Sequence, residues 1–439
     1  MWLLKCLHFW FSMASSCTYL YATYFYFDYF KLSKDQVGLV ASITPLISLF
    51  AIPAIMYYVD RSKDVSMKSV LMFCTVVGTL CWTMNIYVVP FTNYTIYFLC
   101  LIAAVSAMTL SSIGTILDSL TLTMLGDNKE DYGQQRLFAS LSWGLSSLMT
   151  GYLMDRTKNP FTPIYIFFLS NCVSFGFVCL IKLNNPQNSN SIEEQVRTND
   201  DDDADISNVV INEPDSGNFV LANETDALLN SPSNSELEPT LLQSLRKIRT
   251  ILFFTTVALL GLVFAIIGSY LFIFMSTTWK ASPTVLGMTT PLSVFCELPL
   301  FFYSNRLLKY FGTKKLMIGA HLLLLLRFLL YMYLPIILQE QINSHPYINY
   351  IVIPIELLHG ASFGLYWSSG LEYVQVTAPK RYIQTFIGIY CSLSNNAGGI
   401  IGNTIGGVLY EQFGSFYLWG FCFGLTLLSL LLFLISIVS

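Results

Sequence analysis

Charged side chains are scarce in this chain, and the motifs of familiar catalytic chemistry are absent. Charged residues make up 11% of its 439 residues, whereas roughly 25% is usual in soluble domains. The sequence contains no Walker A loop, no dinucleotide-binding fingerprint and no catalytic triad pattern, which argues against an ATP-driven pump and against an enzyme. It also lacks the repeated pore loops that form ion-selectivity filters.

Patterns for metal ligands and disulfides are absent as well. The ten cysteines lie almost entirely within apolar stretches and form no CxxC pair. They are therefore predicted to be small buried side chains, and we expect no metal and no other cofactor. The net charge of −4 arises largely from one acidic segment, so it indicates no nucleic-acid partner.

Long apolar runs, by contrast, are abundant. Hydrophobic residues account for 54% of the chain and aromatic residues for 15%. Because a helix needs around twenty apolar residues to cross a bilayer, the recurrence of such runs predicts an all-α, multi-pass membrane protein. The first run is too long for a signal peptide and is predicted to be a span. The twelve predicted spans lie at about residues 7–30, 36–59, 67–89, 94–124, 134–154, 161–182, 251–277, 285–304, 315–337, 347–374, 383–410 and 416–438.

A polar segment divides these spans into two groups of six. Residues 184–244 are rich in Asn, Asp, Glu and Ser and nearly lack aromatic side chains, a composition that cannot bury enough surface to fold. We therefore expect an N-terminal bundle at 1–183, a disordered acidic linker at 184–247 and a C-terminal bundle at 248–439.

One short pattern in the linker suggests sorting. Glu224, Leu228 and Leu229 are spaced as in the acidic dileucine signal that endosomal sorting adaptors read, a receptor-read address rather than an anchor. Six-residue matches are common by chance in disordered acidic segments, so a pattern without function is the alternative. The expected location is the plasma membrane or an endosomal or lysosomal membrane.

Positive charge is distributed unevenly between the two sets of connections. The odd-numbered connections hold few basic residues, whereas the even-numbered ones hold many. Since an excess of Lys and Arg marks the cytosolic side, both termini are expected to be cytosolic. The basic residues of the even-numbered connections include Arg61, Lys63, Lys68, Lys129, Arg246, Lys247, Arg249, Arg306, Lys309, Lys314, Lys315, Lys380 and Arg381.

The two groups of six spans resemble each other in sequence. The second span contains Pro45 and Pro53, and the eighth contains Pro291 and Pro299 at the same spacing; both first prolines stand in Thr-Pro-Leu. The fifth span ends in a glycine followed four residues later by an acid, and so does the eleventh: the pairs are Gly151 with Asp155 and Gly407 with Glu411. These matches in register predict a duplicated six-helix unit.

A pair of charged residues on the fourth and fifth spans is a candidate binding site. Arg136 follows Asp118 by eighteen residues, and Trp143 follows Arg136 by seven. Ser111, Thr115 and Asp118 form one polar stripe on a helix. Charges inside spans are costly and usually functional, and an acid, a guanidinium and an indole together suit a polyhydroxylated ligand. The alternative is an ion pair that only fastens two helices.

A second cluster lies in the other group of spans. Glu297, Arg327, Glu356 and His359 are all predicted at ~13–18 Å depth, near the centre of a ~30 Å hydrocarbon core. Glu356 and His359 are three residues apart and share a helix face. Buried carboxylates and a histidine near an arginine can change protonation with conformation, as proton coupling requires. A static buried network is the alternative.

The chain resembles the major facilitator superfamily. Six plus six spans, a long central loop and the Asp60-Arg61 pair after the second span are similar to that superfamily, in which this turn belongs to a gating loop. The signature there continues Gly-Arg-Lys, but here it continues Ser62-Lys63-Asp64. The resemblance implies the major facilitator fold, with twelve helices in two six-helix pseudo-repeat bundles, and a monomer in the lipid bilayer.

Two strings resemble the major facilitator superfamily domain-containing protein 6 family, which is similar to lactose permease and the nucleoside–proton symporters. They are Tyr-Gly-Gln-Gln-Arg at 132–136 with Trp143, and Leu-His-Gly at 358–360 with Phe363. Lactose permease binds sugar through an acid, an arginine and a tryptophan at the spacing of Asp118, Arg136 and Trp143, with Glu where this chain has Asp.

Lactose permease also carries Glu, Arg, His and Glu on its eighth to tenth helices for proton coupling. Glu297, Arg327, Glu356 and His359 match these types, with the order on the tenth span reversed. The resemblance thus implies a secondary transporter that carries a small neutral polyhydroxylated solute, a sugar or a nucleoside, together with protons by alternating access. The alternatives are a facilitative carrier of another solute and a non-transporting receptor or scaffold on the same fold.

Overall fold

Twelve long helices account for most of the chain that the structure describes. The structure is a computed structural model and describes residues 2–61, 67–88, 90, 94–125, 132–181, 241–379 and 382–438. Within these ranges the chain forms helices and short connections, with no β-strand. The helices confirm the predicted all-α architecture of two groups of six.

The N-terminal half contains six of these helices. The third is extended by a 3-10 turn at Met84–Tyr87. The six are α1 (Trp2–Asp28), α2 (Lys34–Arg61), α3 (Met67–Thr83), α4 (Thr95–Leu125), α5 (Tyr132–Thr157) and α6 (Thr162–Leu180).

The C-terminal half contains the other six, and its fifth helix is interrupted by a π-helical turn. The six are α7 (Ile248–Thr278), α8 (Pro283–Phe302), α9 (Thr313–Ile337), α10 (Val352–Thr377), α11 (Ile383–Ser392, the π turn Leu393–Ala397, and Gly398–Phe413) and α12 (Ser415–Val438).

Apolar composition explains most of these helices but not all of them. Within the described residues, nine helical segments are long and apolar enough to cross a membrane. Of the three others, α11 is divided by its π turn into segments of 10 and 16 residues, whereas α1 and α5 carry polar side chains: α1 contains Lys5 and His8, and α5 buries Ser142, Ser146, Ser147 and Thr150. In a membrane, such side chains face neighbouring helices rather than lipid, and they mark the helices that pack at functional interfaces.

Three short helices lie between the long ones and differ from the sequence prediction. A short helix at Leu241–Leu245 lies within the predicted linker, and Leu245 packs against the core. Residues 246 and 247 are also described, whereas residues 184–240 lie outside the described part of the chain. An amphipathic helix at Ser304–Phe311 replaces the predicted loop after the eighth span. A third helix spans Gln339–Ser344.

The two halves pack against each other through pairs of helices that the sequence repeat relates. The pairs are α1 with α7, α2 with α11, and α5 with α8. Since α5 corresponds to α11 and α8 to α2, the last two contacts are repeats of each other. The halves lie within one compact unit, Met1–Ile181 with Leu241–Ser439.

Candidate functional site

Three of the four residues predicted for proton coupling meet between α9 and α10. Nη2 of Arg327 donates to both carboxylate oxygens of Glu356, at 3.1 and 2.9 Å, and Nη1 of Arg327 donates to Nδ1 of His359 at 2.7 Å. A fourth residue, Tyr331, donates its hydroxyl to Oε1 of Glu356. We call Arg327, Tyr331, Glu356 and His359 the ion network.

Helix geometry explains why these side chains converge. Arg327 and Tyr331 are four residues apart on α9, and Glu356 and His359 are three apart on α10, so each pair projects from one helix face. The backbone of Glu356 is held as well, because Ser293 of α8 donates its hydroxyl to the Glu356 carbonyl at 3.0 Å.

The contact with Arg327 determines the protonation state of His359. A guanidinium has only donors, so Nδ1 of His359 must accept the hydrogen bond from Nη1. His359 is therefore neutral in this arrangement, with its ring proton on Nε2. A proton on Nδ1 would break the contact and release Arg327 from His359.

Burial makes the network costly to leave unpaired. Arg327 has 0% and Glu356 1% of its surface exposed, and aromatic rings surround them: those of Trp419 and Phe274 lie 5.0 and 5.2 Å from the Tyr331 ring. Removing one member of such an ion pair typically costs about 3–5 kcal/mol, because the other charge is left uncompensated. His359 is only half-buried, so it is the most exposed member of the network.

Glu297, the fourth predicted member, does not join the network. It is half-buried on α8, and within the described part of the chain no hydrogen bond or ion pair engages its carboxylate. It lies one turn after Ser293, on the face of α8 that packs against Gly360 and Gly364 of α10. The sequence predicts that all four residues lie at the same depth in the bilayer. Depth alone, however, does not determine the direction in which a side chain points from its helix axis.

Tyr331 is the member that the sequence prediction missed. A signal was available, because Tyr331 lies one helical turn after Arg327 and its hydroxyl could reach the same partner. The chain has 26 tyrosines, however, and a tyrosine in an apolar helix is most often a packing residue, so spacing alone did not distinguish this one.

In the N-terminal half, Trp143 lies where the halves meet. Its ring packs against Tyr19 of α1 at 5.8 Å, tilted by 52°, and Tyr19 in turn contacts Gly268 of α7. The next residue, Gly144, lies against Pro291 of α8, 3.1 Å from the position of a Cβ. A half-buried indole therefore stands beside the interface between the halves.

The other two predicted binding residues are only partly described. Asp118 is half-buried on α4, and three residues on, the hydroxyl of Thr121 is hydrogen-bonded to Nε2 of His8 at 2.9 Å. Arg136 lies in the first part of α5, but its side chain lies outside the described part of the structure. That Asp118 and Arg136 bind a solute, rather than only pair with each other, stays a prediction.

The remaining predicted residues lie at or beyond the edge of the described chain. Asp60 and Arg61, predicted to lie in a turn, are the last two residues of α2, and their side chains lie outside the described part. Glu224, Leu228 and Leu229 of the sorting pattern also lie outside the described residues.

At one end of the interface between the halves, a carboxylate of α5 contacts the first turn of α8. Thr284 donates its hydroxyl to Oδ2 of Asp155 at 2.7 Å, and Lys158 pairs with Oδ1 at 3.1 Å. Burial alone would raise the pKa of Asp155, but the hydrogen bonds from Thr284 and Lys158 outweigh it and hold the pKa below its usual value. One turn earlier, Gly151 lies directly against the carbonyl oxygen of Pro283.

At the same end of the interface between the halves, α11 makes the repeat-related contact with α2. The backbone N–H of Lys34, the first residue of α2, donates to Oε2 of Glu411 at 2.9 Å. Gly407, one turn earlier, lies against the carbonyl oxygen of Lys34, 2.6 Å from the position of a Cβ. An acid is favourable at a helix N-terminus because the unpaired N–H groups and the helix dipole attract it. We call the region of Lys34, Asp155, Pro283, Thr284 and Glu411 the closed end.

Polar contacts continue from the closed end toward the middle of the interface. Ser42 of α2 and Thr404 of α11 share a hydrogen bond of 2.8 Å, and Asn403 donates to the carbonyl of Ala41 at 3.2 Å. Between α5 and α8, Ser147 donates to Thr290 at 3.0 Å. These contacts hold the halves together over about two turns of each helix.

Comparison with known proteins relates the whole chain to transporters. A family model described as "MFS_1 like family" matches residues 1–421. The uncharacterized transporter YwbF of Bacillus subtilis (strain 168) is 21% identical over 403 residues, which cover 90% of this chain and 85% of that protein.

Solved structures with a similar fold are transporters too. The nucleoside transporter NupG superposes with a TM-score of 0.75 at 16% identity, over 99% of this chain and 98% of that one. A bacterial homologue of the iron transporter ferroportin, in an inward-facing state, superposes with a TM-score of 0.64 at 12% identity, over 99% and 97%. At these identities the likeness establishes the fold and leaves the cargo open.

Proposed function

Since the chain belongs to the MFS_1-like family of major facilitator transporters, we propose that it is a proton-coupled symporter of a small neutral polyhydroxylated solute. The proposed class is a nucleoside or a sugar, and the mechanism is alternating access, in which two six-helix halves rock about a site between them. NupG, whose fold is similar, is a nucleoside transporter, and this supports placing nucleosides first.

The ion network is the observation that carries this proposal. A fully buried Glu356 is held by one arginine that also contacts a histidine, so a proton and Arg327 compete for both groups. When Glu356 takes a proton, Arg327 loses its counter-charge and its contacts to Tyr331 and His359 become its remaining partners. A change of protonation is thereby converted into a change of packing between α9 and α10, as coupling requires.

We propose that the closed end faces outward, since the excess of positive charge lies on connections at the opposite end. In this state the solute site would be reached from the cytosol. Solute would lie near Trp143 and Asp118 of the N-terminal half, with Arg136 as a hydrogen-bond donor. The paired rings of Trp143 and Tyr19 offer an apolar plate, which suits the face of a nucleobase or a pyranose.

Uptake driven by a pH gradient tests the proposal. Ligands would first be identified by thermal stabilisation of the purified protein with a panel of nucleosides and sugars, since a ligand of the folded state raises the unfolding temperature. In proteoliposomes, an inward proton gradient should then drive accumulation of that solute, and a protonophore should abolish it. Uptake that only equilibrates the solute at every gradient would instead indicate a facilitative carrier.

Replacing Trp143 should weaken solute binding. Trp143→Ala should cost ~1–3 kcal/mol of binding free energy, because a stacking surface is lost, whereas Trp143→Phe retains a ring and should weaken binding only slightly. Binding would be measured by titration calorimetry on purified protein. Trp2→Ala, at an exposed ring in the first turn of α1, is the control and should bind as the parent does; equal affinity in Trp143→Ala and the parent would contradict the assignment.

A further inference from the structure

The hydroxyl of Tyr331 uses its entire hydrogen-bonding capacity within the ion network. It accepts from Nε of Arg327 at 3.2 Å and from Nη2 at 3.0 Å, and it donates to Oε1 of Glu356. A phenol oxygen has one proton and two lone pairs, so all three are engaged. The hydroxyl therefore stabilises the ionised carboxylate more than the protonated carboxyl, because a charged oxygen is the stronger acceptor.

The ring of Tyr331 lies at the boundary between the network and a cavity. This cavity has a volume of about 280 Å³ and is lined by residues from the connection that follows α9, among them Gln339 and Asn343, and by Ser415 at the start of α12. Tyr331 also lines it, while its hydroxyl points to Glu356. The rings of Trp419 and Phe274 pack on the ring of Tyr331, so three aromatic rings lie together at this boundary.

We propose that Tyr331 is a positioning residue for proton coupling: its hydroxyl holds Glu356 and Arg327 in register and favours the ionised form of the Glu356 carboxylate. This inference rests on the proposed proton symport. It adds that the proton affinity of the site is set by a neutral third partner rather than by the ion pair alone.

The other groups facing Glu356 do not duplicate this role. On α10, His359 contacts Arg327 and not the carboxylate. On α12, Trp419 and the buried thiol of Cys422 face the network. On α8, Ser293 bonds the Glu356 backbone and Glu297 lies one turn beyond, while α7 contributes the rings of Phe264 and Phe274.

Infrared titration of the purified protein tests the proposal without requiring transport. The band of a protonated carboxyl group would be followed against pH and assigned to Glu356 by its loss in Glu356→Gln. Tyr331→Phe should raise the midpoint of this band by about one pH unit, a tenfold gain in proton affinity, because a hydrogen bond to the carboxylate is lost. Tyr366→Phe is the matched control: Tyr366 is equally buried on α10, but its hydroxyl pairs with Ser394 at 2.6 Å, and the midpoint should stay at the parental value.

A second substitution changes the donor strength of the hydroxyl with little change in the shape of the ring, so it tests the role of Tyr331 independently of folding. Fluorotyrosine at position 331 is a stronger donor than tyrosine and should lower the midpoint. Parental midpoints in both Tyr331 variants would overturn the inference. If the variants show the shifts but the parent accumulates no solute in a pH gradient, the role of Tyr331 stands and the proposed symport is refuted.

Discussion

Replacing Glu356 by glutamine should abolish uphill accumulation of solute while sparing binding and exchange. Glutamine mimics the protonated carboxyl, so the network can adopt its protonated packing but can no longer release a proton. Exchange of internal for external solute needs no net proton movement and should continue. For one proton per solute, a gradient of one pH unit sustains about tenfold accumulation in the parent, and this should fall to simple equilibration in Glu356→Gln.

The measurement is pH-driven uptake beside counterflow exchange in the same proteoliposomes. Glu340→Gln is the control, because Glu340 is exposed in the short helix after α9 and the substitution is chemically the same. It should accumulate solute as the parent does. Continued accumulation in Glu356→Gln would show that the carboxylate is a structural element, and Glu297→Gln, whose carboxylate lies outside the network, would then be the next candidate.

Placing a bulky side chain at Gly407 should prevent the closed end from forming. A Cβ there would lie 2.6 Å from the carbonyl oxygen of Lys34 and 2.7 Å from the hydroxyl of Tyr270, and the first of these is backbone that cannot rotate away. Because overpacking at such a contact is relieved only by separating α11 from α2, Gly407→Trp should favour states with this end open. Both net uptake and exchange should fall to background, since a carrier that cannot close one end cannot cycle.

Hydrogen exchange measured by mass spectrometry would detect the opening directly. The amides of residues 34–42, which include the donor to Glu411, and of residues 283–290 should exchange faster in Gly407→Trp than in the parent. The control is Gly424→Trp on α12, where a Cβ would meet nothing within 4 Å. This variant should retain both solute transport and slow hydrogen exchange of the same amides. If the amide hydrogens of Gly407→Trp exchange at the parental rate, the close contact between Gly407 and Lys34 does not determine the transport cycle.

Much of the architecture could be predicted because bilayer thickness and helix rise constrain it strongly. Runs of about twenty apolar residues specify a span whatever their order, so the helices, their number and their grouping follow from composition. The more polar helices α1 and α5 and the divided helix α11 are also predicted from the sequence, because the polar positions within them are short interruptions of apolar runs. The π turn in α11 was not predicted, since it depends on how Leu393 and Ser394 pack against Gly261 of α7.

The site was harder to predict, because its geometry depends on rotation about each helix axis and on partners distant in sequence. The spacing of Glu356 and His359 within one helix indicated a shared face, and the structure places both beside Arg327. The same reasoning from depth included Glu297, which makes no hydrogen bond or ion pair with the network residues, and missed Tyr331. The positions of Asp155 and Glu411 indicated the internal repeat. Their partners Thr284 and Lys34 could not be predicted from a local pattern, because they lie more than a hundred residues away in the sequence.

The crossed contacts at the closed end suggest how such an interface could arise in one step. The acid that ends α5 reaches the first turn of α8, and the acid that ends α11 reaches the first residue of α2. In a two-fold dimer of a single six-helix ancestor, both would join the same two helix ends, the end of the fifth helix of each copy and the start of the second helix of the other. One glycine and one carboxylate would then have served both copies at this end of the interface, as isologous symmetry requires. Divergence of the two copies would then account for the present difference, in which Asp155 accepts from a side chain and Glu411 from a backbone N–H.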